Sequence, residues 1–206
     1  MLPAADITEI APGLWRWTAR HPEWIAGAKS GSTADWPREV GSVAYQSPGG
    51  LVVIDALVPE GGDSLWSWID ERASAANGRV AALSTIKWHR RSRDAVVRRY
   101  AASTSRSREA LPEGVEAIPI RGAGETMFWL AEPRALVCGD RLMGDGRGGV
   151  RICPESWLGY LDSGIGVGEL RESLRPLLDL DPERVLVSHG DPVLSDGTAA
   201  IRRALG

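Results

Sequence analysis

Two polar residues of metal-ligand type close apolar runs in this chain, each beside a glycine. Ala135-Leu136-Val137-Cys138 leads into Gly139-Asp140, and Val185-Leu186-Val187 leads through Ser188 into His189-Gly190-Asp191-Pro192. Apolar runs of this length bounded by Gly and Pro read as buried strands. The carboxyl ends of strands are where ligands and chemistry collect in α/β sheets. A third run, Leu51-Val52-Val53-Ile54, ends on Asp55, and the remaining histidines are His21 and His89.

The elements that must carry these residues follow from patterning. Residues 7 to 10 and 14 to 19 alternate around Pro12-Gly13 as an opening hairpin, and residues 40 to 45 and 51 to 54 form a second across Ser47-Pro48-Gly49-Gly50. Between them, residues 20 to 38 make a long loop holding His21-Pro22-Glu23-Trp24 and Asp35-Trp36-Pro37. Loops beyond ~15 residues in compact domains are usually functional or disordered, and tryptophan-bearing turns argue against disorder. Asp63 or Ser64 is expected to cap a helix with Leu65, Trp66, Ile69 and Ala73 on one face, stopped by Asn77-Gly78. A strand over residues 80 to 83 precedes an arginine-rich helix begun by Ser92 or Asp94. Strands near 115–120, 126–130 and 135–138 follow, then a Gly-rich turn at 144–149 read as flexible. A helix around 169–178, a strand at 185–187 and a helix at 197–205 close the chain. Meandering strands, then strand and helix alternating twice over, suggest two packed sheets with helices outside.

The bulk numbers narrow the function classes. At 206 residues and a net charge of -3, the chain reads as one domain, residues 1–206, with no global pull toward nucleic acid or membrane. No apolar run approaches the ~20 residues that cross a bilayer. Two cysteines cannot build a disulfide framework or a four-thiolate zinc site, and residues 1–6 lack a signal-peptide pattern. A cytoplasmic protein with reduced thiols is the expectation. Nine Trp stand against one Phe and three Tyr. Trp suits half-buried positions and pocket walls, and Trp24, Trp36 and Trp88 sit beside polar loop residues. Lys87 to Arg108 holds eight Lys or Arg against Asp94 alone, a local charge of +7. Only Trp88 and Tyr100 interleave aromatics with that charge, whereas single-strand binders usually stack bases on several. The expectation is a solvated helix face with arginines paired to acidic residues, and a nucleic-acid or acidic partner is the alternative.

The order Val53-Ile54-Asp55, Leu83-Ser84-Thr85, Val137-Cys138-Gly139-Asp140, then Val187-Ser188-His189-Gly190-Asp191-Pro192-Val193 resembles the metallo-β-lactamase-like hydrolases over nearly the whole chain. The resemblance implies an α+β fold, a four-layer αββα sandwich, with the site along an edge where the two sheets meet. It implies one or two metals, usually zinc, that activate a water, and a first loop that overhangs the site and here holds His21. The family's ligand loop is His-x-His-x-Asp-His directly after the Leu-x-Thr strand; here Ile86-Lys87-Trp88-His89-Arg90-Arg91 follows it. Aligned without a gap, Ile86 and Trp88 stand for two histidines, Arg90 for the aspartate and Arg91 for the third histidine. Where the family has a Gly-His-Thr turn, Arg121-Gly122-Ala123-Gly124-Glu125 stands. Of the usual ligands, Asp140, which in the family bridges two metals, and His189 remain. Asp55 matches an aspartate that supports the ligand loops; its own reading is an orienter of a neighbouring imidazole or amide, or a turn residue bonded to its own loop.

A catalytic zinc wants about three protein ligands and an open water position. Arginines beside the site put fixed positive charge where a dication would sit. The expectation is therefore a degenerate metal site without cofactor, in which Asp140 pairs with Arg91 or Arg121, since an unpaired buried carboxylate is costly. His21, Trp24, Trp88, Arg91 and Arg121 would line a pocket for a small anionic ligand, with Asp55 and Asp140 as the carboxylates available for chemistry. The alternative is one weak zinc held by His89, Asp140 and His189, in a hydrolase of an ester, lactone or thioester.

Overall fold

Strands form here where β-branched and aromatic residues run together, and most runs are buried on both faces. The computed structural model describes residues 7–206. β1 (Thr8–Ala11) and β2 (Leu14–Arg20) pair antiparallel across a turn in which Gly13 takes φ +72°, a conformation that favours glycine. β2 pairs with β3 (Glu39–Ser47) and β3 with β4 (Gly50–Ile54), both antiparallel. β5 (Val80–Leu83) joins parallel to β4, and α1 (Asp63–Ala75) supplies the crossover. The second sheet runs β11-β8-β7-β6, from β6 (Val115–Ile120), β7 (Glu125–Leu130), β8 (Ala135–Cys138) and β11 (Arg184–Val187), with β8 and β11 parallel. A short hairpin of β9 (Leu142–Gly144) and β10 (Val150–Ile152) stands apart from both sheets. α2 (Arg93–Tyr100), α3 (Val167–Leu174) and α4 (Gly197–Leu205) complete the chain.

Four layers require three apolar interfaces. Between the sheets, Leu14, Val43, Val52, Ile54 and Leu83 meet Phe128, Leu130, Val137 and Leu186. Outside the first sheet, Trp17, Val53 and Ala82 meet Leu65, Ile69 and Ala73 of α1 and Val96 of α2. Outside the second, Trp129, Leu136 and Val185 meet Leu170 and Leu174 of α3 and Ile201 of α4. Neighbours such as Val52 and Val53 thus face different interfaces, which is why the runs are continuously apolar. Each fully buried Val, Leu or Ile contributes about 1.5–3 kcal/mol.

Several local expectations need correction. Gly62 rather than Asp63 or Ser64 precedes α1, and no side chain caps it. Ser92 precedes α2, but its Oγ accepts the Val58 N–H at 2.9 Å instead of capping. The glycine-rich turn closes the β9–β10 hairpin, pinned by Asp145, which accepts N–H groups of Arg147 and Gly149 at 2.7 and 2.8 Å. The helix at 169–178 stops at Leu174, and residues 175–180 tighten into a 3-10 turn, because Pro176 lacks the N–H an α-helix needs. Among the described residues no helix is long and apolar enough to cross a membrane.

The two sheets are stitched together at one edge. Val40 bridges to His189 and Ile86 to Glu125, and the Gly41 N–H donates to the Ser188 carbonyl at 2.7 Å. The carboxyl ends of β4, β5, β8 and β11 all open onto this edge.

Candidate functional site

Asp55 leaves β4 with φ +52° and its N–H on the Leu83 carbonyl, so the carboxylate turns across the end of β5. There Oδ1 accepts the Thr85 N–H at 2.8 Å and Oδ2 accepts the Thr85 hydroxyl at 2.5 Å. Oδ2 also faces His89 Nδ1 at 3.0 Å. His89 stands on the 3-10 turn Lys87–Arg90, almost wholly buried. Its Nε2 lies 3.0 Å from Asp140 Oδ1, which His189 Nε2 also approaches, at 3.1 Å. Asp140 Oδ2 accepts the Trp88 indole N–H at 2.6 Å. One hydrogen-bonded chain therefore runs Thr85–Asp55–His89–Asp140–His189 across both sheets. His89, Asp140 and His189 form a group whose ligand atoms all lie within 4.8 Å of one another.

Protonation follows from who can donate. Ionised carboxylates only accept, so the carboxylates on either side of His89 favour hydrogen on both of its nitrogens, with the Thr85 hydroxyl also 3.1 Å from Nδ1. Burial opposes that charge, as does Arg91, but Asp140 and Asp55 outweigh them and push the His89 pKa up to about 9. Burial would raise the Asp140 pKa, yet the His89 charge and hydrogen bonds from both histidines hold it well below the usual carboxylate range. His189 moves the other way: burial lowers its pKa more than Asp140 raises it. With Nε2 donating to Asp140, its Nδ1 is left buried without a partner among the described residues.

The loop that presents Asp140 is held from below by Glu125, the first residue of β7. Its carboxylate accepts the N–H groups of Gly139, Asp140 and Arg141 at 2.9, 2.8 and 2.9 Å. Burial and the Asp140 charge raise the Glu125 pKa, while Arg141 and the backbone amides act against them. The contact leaves no room at Gly139, where a Cβ would stand 2.4 Å from Thr85 Oγ1 and 3.1 Å from Glu125 Oε2. Arg141 is fully buried and donates from Nε to the Ala123 carbonyl at 3.0 Å.

The expected arginine partners of Asp140 are not there. Arg91 donates from Nη1 to the Gly41 and Asp55 carbonyls, each at 3.0 Å, and from Nη2 to Ser188 Oγ at 2.7 Å. It ties the two sheets together beside the site instead of pairing with the carboxylate. Arg121 is exposed and is not among the residues lining the cavity. Two imidazoles and an indole satisfy Asp140, and they lie nearer than any guanidinium could without displacing them.

Above this chain opens a cavity of about 390 Å³. His89, Arg91, Asp140 and His189 line its buried end, and His21, Trp36, Trp88, Trp157 and Tyr160 its walls. Glu23 and Lys87 bring opposite charges to it. Trp36 and Trp157 pack edgewise on the His189 ring at 5.7 and 5.4 Å, and His21 packs edgewise on Trp36 at 5.0 Å. Burial and the Arg91 charge lower the His21 pKa, with Glu23 acting against them. Trp24 is not in the wall: its indole N–H donates to the Trp36 carbonyl at 3.1 Å and so supports the turn that is. Contacts from the turn Glu155–Tyr160 fix the long loop in place, with Ser156 Oγ on the Gly31 carbonyl at 2.6 Å and Trp157 Nε1 on the Ser32 carbonyl at 3.2 Å.

Sequence reasoning passed over Thr85, Glu125, Arg141, Trp157 and Tyr160. Glu125 left one usable trace, a lone carboxylate opening an otherwise apolar strand. The arginines of residues 87–108 have mostly internal partners: Arg99 pairs with Asp70 at 2.6 Å and Arg106 donates to the Ser84 carbonyl at 2.6 Å.

No family model and no curated protein matches this sequence. Solved structures do. The chain superposes on TMB-1 with TM-score 0.58 and 15% identity over 100% of both chains. On VMB-1 the score is 0.63 with 12% identity, over 98% of this chain and 95% of that one. On an NDM_FIM-1 like metallo-β-lactamase from Erythrobacter litoralis, solved in a mono-zinc form, it is 0.60 with 14% identity, over 100% of this chain and 96% of that one. Likeness at such identity carries the fold and not the activity.

Proposed function

We propose, for a chain that has the metallo-β-lactamase fold, a metal-free ligand-binding protein whose pocket accepts a small anionic molecule. The observation that carries this reading is the state of Asp140: both carboxylate oxygens are engaged by protein donors, Oδ1 by two imidazoles and Oδ2 by an indole. Two imidazoles and a carboxylate are a zinc-type donor set, and His89 held by Asp55 has the support a metal-bound imidazole usually has. Ligation, however, needs neutral imidazole, and the two carboxylates beside His89, which push its pKa up to about 9, oppose giving up that proton.

Charge argues the same way. Three buried carboxylates (Asp55, Glu125, Asp140) are matched by three cations (His89, Arg91, Arg141). A dication here would add to the positive charge that Arg91 and Arg141 already bring beside these carboxylates. The residues present do not fit a resident zinc. Ile86, Trp88, Arg90 and Arg91 occupy the stretch where the resembled family carries its ligand loop. For an anion the pocket offers Lys87 and Arg91 beside aromatic walls.

The second reading is a hydrolase using one zinc at His89, Asp140 and His189, favoured by their mutual distances within 4.8 Å. Elemental analysis after dialysis against zinc, with calorimetric titration at neutral pH, decides between them. The metal-free reading expects no retained zinc. One tight zinc per chain, lost in His189→Ala, would overturn it and make an ester, lactone and thioester screen the next step.

A further inference from the structure

The walls of the pocket narrow the chemistry of its occupant. The Trp88 N–H is committed to Asp140 and the Trp157 N–H to the Ser32 carbonyl. These indoles thus present ring faces and edges but no free donor. Those bonds set the orientation of both rings, and Trp157 also packs edgewise on His189, so a flat ligand would meet surfaces already ordered. Trp36 and Tyr160 add two more rings around about 390 Å³, a size within the range of small-molecule sites, about 300–1,000 Å³.

The polar groups are fewer and differently placed. The Arg91 guanidinium already donates to Gly41, Asp55 and Ser188, which leaves it little to offer a ligand beyond its charge. Lys87 is exposed and makes no ion pair among the described residues, with Nζ 5.7 Å from the Trp88 ring centroid. A ligand stacked on Trp88 would carry its anionic group within reach of that ammonium. Of the two acidic residues on the same cavity, Asp140 is already engaged by two imidazoles and an indole, so Glu23 is the carboxylate left to disfavour a second anionic charge. A second cavity of about 310 Å³ shares Lys87, Trp88 and Tyr160 with the first and continues along Gly122, Gly124, Leu161 and Ser163. The two cavities lie side by side along that shared wall, and Asp162 also lines the second.

We infer that the first cavity binds a planar aromatic monoanion, its ring among Trp36, Trp88 and Trp157 and its carboxylate at Lys87. The inference rests on the pocket reading above and adds the ligand class. Stacking on an aromatic ring strengthens binding by roughly fivefold to a hundredfold in nucleic-acid binders, whereas an exposed ion pair adds roughly fivefold or less. Ring shape should therefore matter more than charge.

The experiment is calorimetric titration of the full chain with 2-naphthoate, 2-naphthol and cyclohexanecarboxylate. 2-Naphthoate is expected to bind at one site, with 2-naphthol weaker by roughly fivefold and cyclohexanecarboxylate weaker by roughly tenfold or more. Lys87→Ala is expected to bring 2-naphthoate down to the level of 2-naphthol and to leave 2-naphthol unchanged, which also reports an intact fold. Tyr160, 62% exposed, is replaceable without disturbing the core, and Tyr160→Ala should weaken both naphthalene ligands alike. Equal binding of naphthoate and cyclohexanecarboxylate, or no naphthoate binding at millimolar concentration, overturns the inference. A parallel zinc titration keeps the two ideas apart. Zinc uptake sinks the metal-free reading whatever naphthoate does, and failure of naphthoate without zinc uptake sinks the ligand class alone.

Discussion

The loops after β5 and β8 both deliver a residue to Asp140's hydrogen-bonded chain, but they are held by different means. The loop after β8 is fixed by its backbone: three consecutive N–H groups converge on Glu125, and Gly139 packs where no Cβ fits. The loop after β5 is fixed by side chains, through Asp55 on Thr85 and His89, Ser84 Oγ on the His89 carbonyl, and Arg91 on two carbonyls. A backbone clamp tolerates few sequences, whereas a side-chain clamp can be rebuilt from other residues that donate and accept in the same places.

The largest effect should come from breaking the side-chain clamp at its acceptor. Asp55→Ala leaves a buried imidazolium short of one carboxylate and frees the Thr85 amide, and loss of one partner of a buried charge pair costs about 3–5 kcal/mol. Urea denaturation measures it. A loss below about 1 kcal/mol would mean the loop is held elsewhere.

The pH dependence comes next. The His89 pKa is raised to about 9 in the folded chain, above its ordinary 6.5. A group raised on folding stabilises fully below its unfolded pKa, and that stability disappears as pH climbs through the folded value. Between pH 6.5 and about 9 the protein should lose on the order of 3 kcal/mol through this residue. His189, lowered by burial, has the opposite sign, and its contribution fades as pH falls below 6.5. Denaturant midpoints across pH 6.5 to 9 should fall in the wild type and stay level in His89→Gln. A parallel fall in both would remove His89 as the cause.

Smaller again is the backbone clamp tested by steric load. Gly139→Ala sets a Cβ 2.4 Å from a hydroxyl already locked to Asp55, and overpacking of this kind costs about 1–3 kcal/mol. The matching change at Gly159, which has open space where its Cβ would go, should be silent. If both alanine variants melt alike, the β8 loop is not held by close approach.

Legibility follows the same division. Asp140 and His189 were visible because each ends an apolar run beside a glycine, and the apolar runs themselves marked the sheets. His89 was visible as a residue of the right type in the right loop. Its partners came from the resemblance, with Asp55 read as an orienter of an imidazole or amide and Asp140 as a companion ligand; the contacts themselves join residues 34 apart in sequence and on different sheets. The Asp140–arginine pairing anticipated from charge failed for a geometric reason: Arg91 meets carbonyls first, and Arg121 points to solvent. Trp24 looked like pocket wall by its neighbours and proved to be the prop of Trp36.

Patterning of apolar residues determined that two sheets would stack between helices and that their strand ends would carry Asp55, Asp140 and His189, since burial demands are local and periodic. Which donor meets which acceptor was decided only by the tertiary structure. Hydrogen bonds have a reach near 3 Å, so a partner's identity depends on how the sheets are set against each other, and no spacing along the chain encodes that distance.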